Sequence, residues 1–183
     1  MKWADGTFTG ISGSEGELFD SLLTGVEGIG VEIGCLDGYS SALILQASKL
    51  HLTSVDPFVP DSMESSLKGD PLKYTENTAT FKPRGRLIKD YSWNVVKTWT
   101  EPLEFLFIDG DHNYSAVVRD YQDWTPFIKQ GGLLAVHDSR MTRPNGARFH
   151  PGPSQMAAEM IFNQPSKWEI IGEEFSLTFA KKL

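Results

Sequence analysis

Four residues able to bind a ligand each follow a short apolar run of the sequence: Gly34, Asp56, Asp109 and Asp138. Apolar runs of this length, bounded by loops, are typical of buried strands. Because the carboxyl ends of parallel strands meet at one edge of an open α/β sheet, we expect these residues to lie together there. Their arrangement predicts a ligand site at that edge.

The turn after the first run, residues 32–41, contains Gly34 and Gly38, which let a backbone approach a ligand closely. The Gly-x-Gly-x-x-Gly pattern of dinucleotide sites is absent, since positions 36 and 39 are not glycine. Glu32 and Asp37 would also repel a pyrophosphate. The turn therefore favours a cationic ligand such as S-adenosylmethionine, which carries an ammonium and a sulfonium group.

Asp56 ends the second apolar run, about 22 residues beyond Gly34. An acid in this place accepts hydrogen bonds from both ribose hydroxyls of an adenosine ligand. Nicotinamide cofactors and S-adenosylmethionine both contain such a ribose, so Asp56 does not choose between them. The alternative is that Asp56 only caps a turn, since aspartate favours turns.

A group of acids, Asp109, Asp111 and Asp138, is accompanied by His112. Carboxylates at one sheet edge repel one another unless a cation lies between them. Mg²⁺ takes one or two such oxygen ligands together with water and substrate. His112 can take a proton from a substrate hydroxyl. The alternative is that His112 is an ordinary solvated loop residue.

The elements that would position these residues alternate between strand and helix. Predicted strands cover residues 29–34, 52–56, 86–89, 103–109, 133–137, 168–172 and 177–180. Predicted helices cover a segment from a capping box at 14–17 to Thr24, residues 39–50, residues around 93–99 and residues 155–162. A further predicted helix carries Val117, Tyr121, Trp124 and Ile128 at helical spacing and stops at Gly131-Gly132. A predicted loop at 57–71 covers the site. This order predicts an α/β fold with a doubly wound, mostly parallel, seven-stranded sheet and one antiparallel edge element. We place no domain boundary within residues 1–183.

Composition limits the classes of function. The chain has 183 residues, of which 40 % are hydrophobic, and a net charge of −7, as expected of one soluble domain. No apolar run approaches a membrane span or a secretory signal, and the single cysteine, Cys35, fits a reducing compartment, so we expect a cytoplasmic protein. The negative charge argues against nucleic-acid partners. Neither this charge nor the apolar runs suggest a membrane partner. Self-association stays open.

Two segments resemble the class I S-adenosylmethionine-dependent methyltransferases, and specifically small-molecule O-methyltransferases. Residues 32–41, Glu-Ile-Gly-Cys-Leu-Asp-Gly-Tyr-Ser-Ser, are similar to the first cofactor motif of catechol-type enzymes. Residues 107–139, from Phe-Ile-Asp-Gly-Asp-His-Asn-Tyr to Gly-Gly-Leu-Leu-Ala-Val-His-Asp-Ser, resemble the bacterial family that includes sugar and antibiotic tailoring enzymes. The resemblance covers about residues 14–139. It implies a Rossmann-like fold and methyl transfer to a hydroxyl of a small acceptor, such as a sugar or another polyhydroxylated molecule.

The resemblance also implies roles for single residues. The implied cofactor contacts are Glu32, Gly34, Gly38 and Ser40 around the methionine part, Asp56 at the ribose, Ser92 at the adenine, and Asp109. His112 falls where relatives place the general base, and Asp109 accompanies it in the catalytic group. Asp109 and Asp138 match metal ligands.

One departure concerns the metal. The position before Asp138 is usually acidic in the metal-dependent members, and here it is His137. An imidazole binds Mg²⁺ poorly and suits zinc, nickel or iron better, so the set Asp109, Asp138 and His137 leaves metal dependence open.

The segment 140–153 matches no motif of the family, although a loop at the ligand edge would normally select the acceptor. Its Arg143, Arg148 and His150 indicate an anionic or polyhydroxylated acceptor. Two other functions stay open at this point: a nicotinamide-dependent oxidoreductase, and a non-catalytic domain that binds S-adenosylmethionine on the same fold.

Overall fold

A computed structural model describes residues 11–140 and 150–183. The strands are β1 Glu27–Ile33, β2 Lys49–Val55, β3 Gly85–Ile88, β4 Leu103–Ile108, β5 Ile128–Val136, β6 Trp168–Glu174 and β7 Leu177–Lys182. The α-helices are α1 Gly13–Leu23, α2 Tyr39–Ala47, α3 Pro71–Asn77, α4 Ser92–Val95, α5 Tyr114–Trp124 and α6 Pro151–Ala157. Short 3₁₀ turns cover Ala79–Phe81, Val96–Thr98 and Thr125–Phe127, and a π-helical turn, Ala158–Phe162, extends α6.

All seven strands form one sheet in the order β3-β2-β1-β4-β5-β7-β6. Strands β1 to β5 are parallel, and β7 runs antiparallel to both of its neighbours, β5 and β6. The predicted fold class is confirmed, including the antiparallel element of the closing strand pair.

The strand register places the four ligand-edge residues next to one another. Ile33 pairs with Val55 and with Ile108, and Ile108 pairs with Val136, so the carboxyl ends of the central strands are level. The residues that follow these ends are therefore neighbours at one edge.

The capping box of α1 lies two residues earlier than the sequence predicts. Ser12 Oγ accepts from the backbone N–H of Glu15, and Glu15 Oε2 accepts from that of Ser12. Ser12 and Ser14 both have an acid three residues on, so local spacing cannot choose between them. Tertiary structure decides: the other oxygen of Glu15 accepts from the buried Ser176.

Two helix ends also differ, and one helix, α3, is not predicted by the sequence. Helix α5 ends at Trp124, because Pro126 has no N–H to donate, and the glycines expected to stop the helix lie inside β5. Helix α2 ends at Ala47, so Leu50 belongs to β2. Part of the predicted loop 57–71 leads into α3, where the Asp70 side chain caps the N-terminus.

The core has one apolar layer on each face of the sheet. Helices α5 and α6 cover one face, where Val117, Tyr121, Trp124 and Ile128 are buried as the predicted stripe required. Helices α1 and α2 cover the other face. Of the described helices, none is long and apolar enough to cross a bilayer.

Candidate active site

A cavity of about 610 Å³ opens at the carboxyl edge of the sheet. This volume suits a ligand of cofactor size. Its lining comes from the turn after β1, Asp56 after β2, the loop after β2, the start of α4, residues 109–112 after β4, and His137 and Asp138 after β5. His150 closes the lining.

The glycines of the first turn make room for protein atoms. Gly34 has φ +81°, and a Cβ there would lie 2.2 Å from the backbone oxygen of Asp109. Gly34 lines the cavity, but the backbone that follows strand β4, and not a ligand, requires glycine at this position. Gly38 is not in the lining, and its Cβ would lie 2.9 Å from the ring of Tyr74 on α3. Gly38 therefore has a helix-packing role, and its contact with a cofactor stays a prediction.

Asp56 holds the first turn in place. Its Oδ2 accepts from the backbone N–H groups of Cys35 and Leu36 at 2.9 and 3.0 Å, and its Oδ1 accepts from that of Phe58 at 2.6 Å. The capping alternative is thus realised. Asp56 also lines the cavity, and carboxylate oxygens keep further lone pairs for ribose hydroxyls.

Glu32 lies beneath the cavity and not in its lining. The side chain is fully buried and accepts hydrogen bonds from Ser40, Ser41 and Ser54. Burial raises the pKa of Glu32 to about 7, against the opposing effect of the three serine hydroxyls. Glu32 positions Ser40, which does line the cavity, and its own contact with a cofactor stays a prediction.

His112 is held between two carboxylates. Asp61 Oδ2 lies 2.9 Å from Nδ1 of His112 and also accepts from its backbone N–H at 3.0 Å. On the other side of the ring, Nε2 lies 3.3 Å from Asp138 Oδ2. Burial lowers the pKa of His112, but the acids Asp138, Asp109 and Asp61 outweigh burial and raise it to about 9.

Sequence reasoning missed Asp61. It lies in the loop after β2, 51 residues from His112, and neighbouring Ser62 donates to Asp111 at 2.6 Å. The predicted covering role of this loop gave no signal for one particular acid. The only available clue was that a functional histidine such as His112 would be expected to pair with some acid.

His137 lies between the two acids that were expected to bind a metal. Its Nδ1 is 3.2 Å from Asp109 Oδ1 and 3.5 Å from Asp138 Oδ2. Its Nε2 is 3.5 Å from the buried Glu15 Oε1. Burial lowers the pKa of His137, but these surrounding acids raise it well above its usual value.

The expected metal set of Asp109, Asp138 and His137 is not among the groups of described residues whose ligand atoms converge on one point, and metal binding by this set stays a prediction. Among the described residues, the group that can share a cation is His112, Asp138 and His150, whose ligand atoms all lie within 4.8 Å of one another. The rings of His112 and His150 stack at 3.8 Å between centroids.

Ser92 begins α4 and lines the cavity together with Tyr91 and Trp93, whose rings stack at 4.2 Å. Ser92 donates its hydroxyl hydrogen bond to the buried carboxyl of Asp120 on α5, a residue that the sequence analysis did not single out. Arg143 and Arg148, expected to face the acceptor, lie outside the described residues.

A family model described as a methyltransferase domain matches residues 31–139, which include every strand end of the site from β1 to β5. The chain belongs to this methyltransferase family. The match covers more than half of the chain. It contains the Gly34 turn, Asp56, and the two acids near His137, Asp109 and Asp138.

Known proteins resemble this methyltransferase domain in sequence or in fold. An uncharacterized protein of Acanthamoeba polyphaga mimivirus, R132, is 28 % identical over 150 residues, or 78 % of this chain; the chain spans 66 % of that relative's length, just under two thirds. The solved O-methyltransferase NovP is 17 % identical, with a TM-score of 0.69 over 92 % of this chain and 79 % of NovP. A putative rRNA-methylase from Clostridium thermocellum is 13 % identical, with a TM-score of 0.63 over 93 % of this chain and 96 % of that one.

Proposed function

We propose that the protein transfers a methyl group from S-adenosylmethionine to a hydroxyl of a small, polyhydroxylated acceptor such as a sugar. One observation carries this proposal: a single cavity joins the Gly34 turn and Asp56 to the Asp61–His112 pair. The first part fits an adenosine ligand, and the second provides a nitrogen able to accept a proton.

The residues of the cavity divide the reaction between them. The acceptor oxygen attacks the methyl carbon as the carbon–sulfur bond breaks, which leaves S-adenosylhomocysteine and a proton to be removed. Asp61 holds Nδ1 of His112, so Nε2 is the nitrogen that takes this proton. A sugar hydroxyl is a very weak acid, so the proton moves as the carbon–oxygen bond forms.

Metal assistance is not part of the proposed reaction. Its expected ligand set, Asp109, Asp138 and His137, is not among the groups of described residues that can share one cation. A cation held by His112, Asp138 and His150 would take the same Nε2 of His112 that serves as the base.

The acceptor class rests on the site and on charge. NovP and the rRNA-methylase share this fold, so the fold alone does not select an acceptor. The net charge of −7 favours a small acceptor over a nucleic acid, and the family match speaks against an oxidoreductase.

The first test is ligand binding. We expect S-adenosylhomocysteine to stabilise the protein by about 2.7 kcal/mol at a hundredfold excess over Kd, or a rise in melting temperature of roughly 5–10 °C. NAD at the same concentration is the control and is expected to give no shift. No shift with millimolar S-adenosylhomocysteine in a thermal-shift assay would contradict the proposed function.

The second test is Asp56→Ala. We expect the affinity for S-adenosylhomocysteine to fall by about 2–4 kcal/mol, because hydrogen bonds to a charged group contribute roughly 1.5–3 kcal/mol each. The three backbone N–H groups that Asp56 now satisfies also lose their acceptor, so Asp56→Asn, which keeps one oxygen for the turn, is the matched variant. If calorimetry finds the affinity unchanged in a folded Asp56→Ala protein, Asp56 is only a cap.

A further inference from the structure

Asp120 is a buried acid with one oxygen left for a ligand. Its side chain, on α5, is 6 % exposed, and Ser92 donates to its Oδ1. No described group hydrogen-bonds to its Oδ2, which lies over Gly110: a Cβ on that glycine would be 3.4 Å away. Among the described residues, Trp124 Nε1 is the one side-chain nitrogen or oxygen that is both inaccessible and without a hydrogen-bond partner. Asp120 Oδ2 also has no partner but is not inaccessible, and because Asp120 lines the cavity, we take this oxygen to be open to it.

Burying a carboxyl without a full set of partners is costly. The nearest basic side chain in sequence, Arg119, lies over the Trp93 ring at 4.6 Å and pairs with Asp123 at 3.5 Å. Burial raises the pKa of Asp120 to about 7, and the hydrogen bond from Ser92 and the charge of Arg119 offset this only in part. An acid kept in such a place at the wall of a cavity points to a hydrogen-bond donor on the ligand.

The position of Asp120 identifies the part of the ligand it meets. Ser92 follows β3, the strand next to β2 with its ribose candidate Asp56, and the stacked rings of Tyr91 and Trp93 line the same cavity. A flat heterocycle beyond the ribose would lie against this group. Adenine carries one strong donor on its edge, the 6-amino group, which matches a carboxyl oxygen that only needs a donor.

We propose that Asp120 recognises the 6-amino group of the adenine of bound S-adenosylmethionine through Oδ2, while Ser92 fixes the carboxyl through Oδ1. This rests on the proposed function. It makes Asp120 the residue that selects adenine over other purines at this site, and Ser92 the residue that positions it.

The test compares S-adenosylhomocysteine with its 6-deamino analogue, in which purine replaces adenine, by calorimetry. Above its pKa of about 7, where Asp120 is ionised, we expect the unmodified protein to prefer S-adenosylhomocysteine by about 10- to 100-fold, as for a hydrogen bond to a charged group. Asp120→Ala should bring this ratio close to 1. Because the ratio compares two ligands on one protein, a general loss of affinity or stability cancels.

Three further variants keep the result interpretable. Gln122→Ala, at an exposed position on the same helix outside the lining, should leave the ratio unchanged. Asp120→Asn keeps the packing with a weaker, uncharged acceptor, so its ratio should fall several-fold even if the alanine variant does not fold. An unchanged ratio in Asp120→Asn or Asp120→Ala overturns the proposal, as does a ratio that only Ser92→Ala abolishes. Failure of the unmodified protein to bind S-adenosylhomocysteine would instead contradict the proposed function.

Discussion

His112→Ala is expected to lower kcat by about 10²- to 10⁴-fold while the affinity for S-adenosylhomocysteine stays within about twofold. The reason is geometric: His112 lines the cavity with Nδ1 held by Asp61 and Nε2 beside Asp138, and none of its described hydrogen bonds or ion pairs involves the Gly34 turn, so the variant loses the proposed base and keeps that turn. The assay follows release of S-adenosylhomocysteine with the best hydroxyl acceptor from a panel of sugars and phenols. Full activity of the variant would remove His112 as the base and make Asp111 the next candidate.

The pH dependence of kcat/KM tests the assignment of His112 as the base independently. His112 accepts a proton only when it is neutral, and its surrounding acids raise its pKa to about 9. We therefore expect kcat/KM to rise with pH from neutrality and to level off above about pH 9. Asp61→Asn removes one of the raising charges and should move this rise to lower pH. A flat profile in both proteins would contradict the assignment.

Gly34→Ala is expected to destabilise the fold by more than about 4 kcal/mol, a loss in the tail of single substitutions. Two effects add. The left-handed backbone costs any side chain roughly 1–2 kcal/mol, and the new Cβ would lie 2.2 Å from the Asp109 backbone oxygen, which strand β4 holds in place.

Gly25 provides the matched control for this substitution. Gly25 has φ +82°, against +81° for Gly34, but nothing lies within 4 Å of its Cβ position. Gly25→Ala should therefore show the backbone cost alone. Urea unfolding of both variants gives the difference, and equal losses would mean that the overlap with β4 is relieved elsewhere.

The sheet and its ligand edge were predictable because they depend on local pattern. Each strand from β1 to β5 is a short apolar run, and the residue types that follow the runs, such as Asp56 and Asp109, are visible without any tertiary contact. Parallel topology then brings those residues to one edge. This is why the strand ends were placed correctly from the sequence.

The partners of these residues were not predictable in the same way. Asp61, Glu15 and Asp120 meet the site from a loop, from α1 and from α5, and their role depends on pairings 51, 161 and 28 residues apart in sequence. His137 is a further example: its role at a metal stays a prediction, and its contact with the buried Glu15 of α1 could not be inferred from residue spacing.

The Asp61–His112 pair links catalysis to the position of a loop. Asp61 and Ser62 join residues 111 and 112 from the loop between β2 and α3, and Gly69 of the same loop lies against Leu36 of the cofactor turn, where an added Cβ would be 2.4 Å from the Leu36 Cα. A displacement of this loop would therefore remove the Asp61 carboxylate from the imidazole and the Gly69 backbone from Leu36 together. In the proposed reaction, His112 would keep its acidic partner only while the loop lies against the turn that faces the methyl donor.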